Sequence, residues 1–303
     1  MNSLFTSRPF PEVPGVEVTH RYIDIGKVKI HVAEAGSGQP LLMCHGWPQH
    51  WWMWRKQIPF FAPYYRVIVP DMRGFGWSEV TDDGYLKDEL AEDLKKLIDA
   101  LGYTNVRLLS HDWGGWVGFI VCGKYPGLIS QHFATNICPI WPKLSLQMIP
   151  ATLQLNYMFR IAMPYFGQKM LMAGDRFVRY MFDRDRTTVE PIPDAEIKIF
   201  SDQFKEPERA KASVKLYRLF LLLEYIPLGL MGKYKNLFVT TPSRILFGQD
   251  DGAIALSWLR GYEKNTNDLQ IEIVPHTGHF IIDERPDMVN EKAYAFFTDP
   301  KYN

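Results

Sequence analysis

The stretch 105-NVRLLSHDWGGWVGF-119 decides how the rest of the chain is read. An apolar run at 106–109 is broken by Ser110-His111-Asp112-Trp113-Gly114 and followed by a second apolar pattern. That sequence predicts strand, sharp turn, helix. Ser110 and Gly114 are small and flank Asp112, as in a nucleophile elbow, where a strained strand-to-helix turn holds one side chain up at the edge of a sheet and bulky neighbours would clash. The usual form is Gly-x-Ser-x-Gly; here the central residue is a carboxylate. Asp is also a favoured helix N-cap, so the stretch alone admits a plain helix start.

Upstream, segments 18–24 and 27–34 predict two strands joined across Gly26 as a hairpin at a sheet edge. Residues 41–44 predict a short buried strand running into His45-Gly46-Trp47-Pro48, a loop whose Gly and Pro fix an unusual backbone able to aim N–H groups at a ligand. Another buried strand at 66–69 runs into a glycine-bearing loop, 71-DMRGFGWS-78. Residues 86–101 carry leucines at helical spacing. Downstream come a strand at 129–135, a long stretch of helical periodicity without a convincing strand, two more strands at 243–247 and 269–274, and an amphipathic helix at 285–298. Strands alternating with helices imply a mostly parallel sheet covered on both faces. The expected organisation is an α/β core over 1–138 and 239–303 with a helical cap inserted at 139–238.

Charge excludes some functions. The chain has 34 basic and 34 acidic residues and no separate basic tract, so neither nucleic acid nor an anionic membrane surface is an expected partner. Aromatics reach 14%, with three Trp crowded into His50-Trp51-Trp52-Met53-Trp54, a composition that suits an apolar pocket as well as a core. Cys44, Cys122 and Cys138 lack metal spacing, which points to a reducing, cytoplasmic setting and no metal. The start of the chain does not read as a secretory signal. The most apolar segment, 216–231, contains Arg218, Glu224 and Pro227 and makes a poor membrane span.

Asp112, Asp251 (or its neighbour Asp250) and His279 each lie just past a predicted strand, at the edge where open parallel sheets bind ligands. The order nucleophile, acid, histidine is that of the α/β-hydrolase triad. On HGWP at 45–48, DMRGFGWS at 71–78, SHDWGG at 110–115, GQDD at 248–251 and GHF at 278–280, the chain resembles α/β-hydrolases of the epoxide hydrolase branch, which also contains the haloalkane dehalogenases. The resemblance runs from about residue 18 to the end and implies an eight-stranded, mostly parallel sheet flanked by helices, with a helical cap. It implies Asp112 as nucleophile, His279 as base, Asp251 as its acid, and backbone N–H groups of Trp47 and Trp113 as the oxyanion hole. Asp250 and His276 are the rivals for acid and histidine.

A carboxylate nucleophile displaces at an sp3 carbon and leaves a hydrolysable ester, whereas serine would leave an inert ether. An epoxide oxygen also needs a proton donor, for which neutral tyrosines are suited. Similarity to the family's cap tyrosines singles out Tyr217, within Leu216-Tyr217-Arg218, and Tyr157, with Tyr165 as rival for the first role. His45, Pro48, Trp51 and Tyr165 are the expected pocket wall. The expected substrate is a small, neutral, apolar epoxide, with water as co-substrate, no cofactor, and a monomeric or homodimeric enzyme. A haloalkane or haloacid dehalogenase using the same Asp, and a non-catalytic binding protein of the same fold, are the alternatives.

Overall fold

The computed structural model describes residues 6–142, 155–187 and 191–302. Residues 1–5, at the start of the chain, and 143–154 and 188–190, within the expected insertion, lie outside the described residues. Among the described residues, eight strands form one sheet in the order β1-β2-β4-β3-β5-β6-β7-β8. They are β1 (Thr19–Asp24), β2 (Lys29–Ala35), β3 (Pro40–Cys44), β4 (Arg66–Pro70), β5 (Val106–His111), β6 (Ile129–Thr135), β7 (Ser243–Gly248) and β8 (Leu269–Val274). Only β2 runs against the others; it pairs antiparallel with both β1 and β4, and the remaining ladders are parallel. The central strands are buried along both faces, because helices cover both.

Helix α1 (Lys87–Ala100) packs its Leu90, Leu94, Leu97 and Ile98 face inward. At its start the Glu89 carboxylate accepts the Leu86 N–H at 3.0 Å, satisfying one of the donors a helix leaves unpaired. Helix α2 (Trp113–Lys124) follows β5 directly and is buried almost all round, as its uniform apolarity requires. The chain visits β4 on one side of β3 and returns to β5 on the other, so the sheet has its topological switch between β3 and β5. Their register pairs Cys44 with Ser110, which brings the loops after them out side by side.

Between β6 and β7 the described chain is helical: α3 (Asn156–Ala162), α4 (Phe166–Met172), α5 (Arg176–Arg184), α6 (Asp194–Ser201), α7 (Pro207–Leu219) and α8 (Tyr225–Met231), with a π-helical turn, Phe220–Glu224, joining the last two. Helix α9 (Pro286–Phe297) closes the core. No helix among the described residues is long and apolar enough to cross a membrane.

Close approach, rather than backbone freedom, is what demands small residues at the switch. A Cβ on Gly114 would stand 2.4 Å from Cys44 O and 2.6 Å from His45 O. Gly114→Ala should therefore overpack the junction of β3 and α2 and cost about 1–3 kcal/mol of stability in denaturant unfolding. An unchanged midpoint would contradict this packing.

Candidate active site

Asp112 occupies the turn between β5 and α2 with φ 48° and ψ −124°. A branched-chain or bulky residue at positive φ is strained, and even Asp adopts it only where the surroundings hold it, at a cost on the order of 1–3 kcal/mol. Here the Asp112 N–H donates to Thr135 O on the neighbouring strand at 3.2 Å, and its carbonyl accepts Gly115 N–H at 2.9 Å. The side chain turns back to the loop after β3, where Trp47 N–H donates to Oδ2 at 3.0 Å. A Cβ on Gly46 would fall 2.5 Å from that same oxygen, so the loop closes on the carboxylate only because it has none. Burial raises the Asp112 pKa above its ordinary value, while the His279 charge and the N–H groups of Trp47 and Trp113 oppose the rise.

The other half of the site comes from the loops after β7 and β8. His279 Nδ1 and Asp251 Oδ2 are 2.8 Å apart, both buried. Asp251 is held by three further donors: Ala253 N and Ile254 N on Oδ1, each at 2.8 Å, and Asn136 Nδ2 on Oδ2 at 2.8 Å. Its acceptor capacity is thus well used, and the imidazole is fixed with Nδ1 toward the carboxylate. Burial alone would lower the His279 pKa, but Asp251 first and then Asp112 reverse this and raise it to about 9. Asp250 and His276 are both exposed.

Asp112 opens into a cavity of ≈ 450 Å³, its open mouth included, walled by Trp113, Trp116, Tyr157, Phe220, Tyr225 and Trp258. Tyr157 and Tyr217 pack edge to face, ring centroids 5.9 Å apart, and Tyr217 also packs against Trp47 at 5.3 Å and Trp113 at 5.8 Å. Burial, reinforced by Asp112, lifts both phenols well above their usual pKa, so both keep their protons at neutral pH.

Four expected wall residues lie elsewhere. Tyr165 sits at positive φ before α4 and is 72% exposed, because the tight turn between α3 and α4 throws it outward. Trp51 is buried in the core: its N–H is captured by Asp71 Oδ1 at 2.7 Å, and its ring packs edge-on against His20, His31 and Trp77. His45 is turned away to Gly46 O and Met72 N. Pro48, after the cis Trp47–Pro48 peptide, gives its carbonyl to Gln203 Nε2 at 2.8 Å. None of the four lines the cavity of Asp112.

Three further groups support the site, and of these only His111 falls within a sequence motif, SHDWGG. Asn136 follows β6 directly and bridges Asp251 to Gly278 O; its place just past a strand end was the available signal. Lys87, buried with Glu224 at 3.4 Å, stands 4.2 Å above the Trp113 ring. His111 Nδ1 contacts Thr135 Oγ1 at 3.1 Å, and since that hydroxyl donates to Ser110 O, it accepts the Nδ1 proton. His111 is thus a neutral imidazole 5.0 Å from the His279 ring, its pKa lowered by burial and by His279.

Chemically the cluster offers a buried carboxylate, a base oriented by a second carboxylate, N–H donors on the first carboxylate, and two neutral O–H donors. Its electrostatics predict that Asp112→Asn, which deletes one charge facing the imidazole, lowers the His279 pKa from about 9 by roughly one unit. Carbon-13 NMR of labelled histidine reads this; an unmoved titration would mean that the two groups are uncoupled.

The comparisons agree with this architecture. Residues 39–286 match the model of the alpha/beta hydrolase fold family. Epoxide hydrolase 4 of Homo sapiens is 26% identical over 297 residues, covering 93% of this chain and 79% of that protein. Epoxide hydrolase 3 of Mus musculus is 28% identical over 281 residues, covering 90% and 74%. The ligand-free structure of the epoxide hydrolase CorEH superposes with a TM-score of 0.82 at 27% identity, covering 93% of this chain and 99% of that one. The matched model spans the elbow, the β7 and β8 loops and the helical insertion between them, and the chain belongs to the alpha/beta hydrolase fold family.

Proposed function

We propose that this protein opens epoxides to vicinal diols through a covalent ester on Asp112. The observation that carries the reading is the pairing of a carboxylate at the elbow with two buried, neutral phenols: Tyr157, which lines the same cavity, and Tyr217, which packs against Tyr157, Trp47 and Trp113. Resemblance to relatives named as epoxide hydrolases supports it. One Asp112 oxygen attacks an epoxide carbon, the C–O bond breaks toward oxygen, and Tyr157 or Tyr217 delivers the proton that the departing alkoxide needs. The helical insertion acts as the cap that carries both phenols.

Alkylation removes the negative charge of Asp112, one of the charges that hold His279 protonated. The imidazole thereby becomes less basic at the stage when a neutral base is needed. His279 then takes a proton from water as the water oxygen adds to the ester carbonyl, and the N–H groups of Trp47 and Trp113 hold the oxyanion. Collapse breaks the acyl C–O bond as the imidazolium returns its proton to the departing diol oxygen, regenerating the Asp112 carboxylate. Asp251 steadies the imidazolium throughout. Among the described residues the walls bear no charge besides Asp112, which favours a neutral, apolar substrate.

A dehalogenase reading would need N–H donors for the leaving halide, and the buried indole N–H of Trp113 is a candidate. A panel of epoxides and haloalkanes scored for diol and for halide decides: diol is expected, and halide without diol would overturn the proposal. His279→Gln should form the ester and stall, so mass spectrometry should find substrate mass on the peptide containing Asp112. A clean peptide after exposure to a turned-over substrate would refute the assignment. Each single Tyr→Phe change at 157 or 217 should slow alkylation, whereas the double change should lose far more than either while leaving ester breakdown near normal. Wild-type epoxide opening by the double variant would remove the tyrosines from the mechanism.

A further inference from the structure

The helical insertion reaches the histidine loop through Asp185, the residue that ends α5. Its carbonyl accepts the His279 N–H at 2.6 Å, so the backbone of the histidine is held from the insertion as well as from β8. Both flanking loops make room for it. A Cβ on Gly252, next to Asp251, would stand 2.4 Å from Asp185 Oδ1, and one on Gly278, next to His279, would stand 2.3 Å from Asp185 O.

The side chain is fully buried, and among the described residues neither carboxylate oxygen has a hydrogen-bond partner. Arg184 Nε lies 3.1 Å from Oδ1 as an ion-pair contact without hydrogen-bond geometry, while Arg184 Nη2 donates to Gly252 O at 2.6 Å. A buried carboxyl this thinly satisfied is costly to the fold. The carbonyl contact to His279 is a backbone contact that any residue could make, so it does not account for an acid at this position. The charged and titratable groups facing the carboxyl are His279, Arg184, Asp251, Asp112 and Tyr157.

We propose that Asp185 is a positioning residue for His279: its carbonyl fixes the histidine backbone, and its carboxylate supplies a second negative charge beside the imidazole that Asp251 orients. For its catalytic meaning this rests on the epoxide-opening reading above. Once Asp112 is esterified and neutral, Asp251 and Asp185 are the carboxylates left to keep His279 basic enough to take a proton from water. Burial pushes the Asp185 carboxyl up to about 6, against the pull of His279 and Arg184. As pH falls through that value the carboxyl protonates, its support is lost, and the base weakens.

The test is the titration of the His279 ring carbon by NMR in substrate-free protein, a readout independent of whether any epoxide is opened. Wild type should show its main transition near the value of about 9, with a smaller inflection near 6. Asp185→Asn keeps the carbonyl and removes the charge; it should erase the inflection and lower the His279 pKa by about half a unit or more. It should slow ester breakdown several-fold at pH above the acid limb of that step, shift that limb to lower pH, and leave the rate of ester formation in a single turnover, and so kcat/KM, unchanged. A folded Asp185→Asn protein with an unmoved His279 titration overturns the proposal. Should that variant not fold, wild type decides alone, since the absence of any inflection near 6 refutes it.

Discussion

A carboxylate kept out of water at a strained turn is the constraint on which the rest of this structure depends. Asp112 is almost fully buried, at positive φ, and uncompensated burial of such a charge would cost several kcal/mol. The molecule offsets this by topology. The switch between β3 and β5 brings the Trp47 N–H to Oδ2, and the loops after β7 and β8 bring an imidazolium opposite. The groups that make the buried charge tolerable are those that the proposed chemistry requires, first to hold the nucleophile and then to hold the oxyanion formed from it.

The same electrostatics link the two proposed half-reactions. While Asp112 is charged, His279 is held protonated; when Asp112 is neutralised by an alkyl group, the imidazole is released toward its neutral form. In the proposed mechanism the first step thus raises the neutral fraction of the base. In this proposal Asp251 and Asp185 set how far its basicity falls. The two tyrosines, phenols whose pKa burial raises still further, form the wall that the proposal makes proton-donating, above a negative floor.

Much of this was legible in the sequence wherever chemistry is tied to local backbone. Most of the central strands are apolar runs that stop at a Gly- or Pro-bearing loop, so strands and loop ends could be placed and the eight-stranded sheet expected. Asp112 was marked by its small neighbours. The wall of the site was less legible, because aromatic residues look alike in core and pocket. Trp51 is directed into the core by the capture of its N–H at Asp71, twenty residues away, and Tyr165 is thrown into solvent by a turn that helical periodicity does not reveal. Asn136, Lys87 with Glu224, and Asp185 belong to no motif. Their partners lie 115, 137 and 94 positions away or thereabouts, a separation that only the folded chain closes.

The central claim is that Asp112 forms a covalent bond to carbon and is regenerated by water attack on its own carbonyl. The most direct measurement is a single turnover, with enzyme in excess over epoxide, in oxygen-18 water. The account predicts that the label appears in the carboxylate of Asp112 and that the first diol carries unlabelled oxygen from the enzyme. Label entering the diol directly, with Asp112 unlabelled, would mean that water attacks the epoxide itself, and would contradict it.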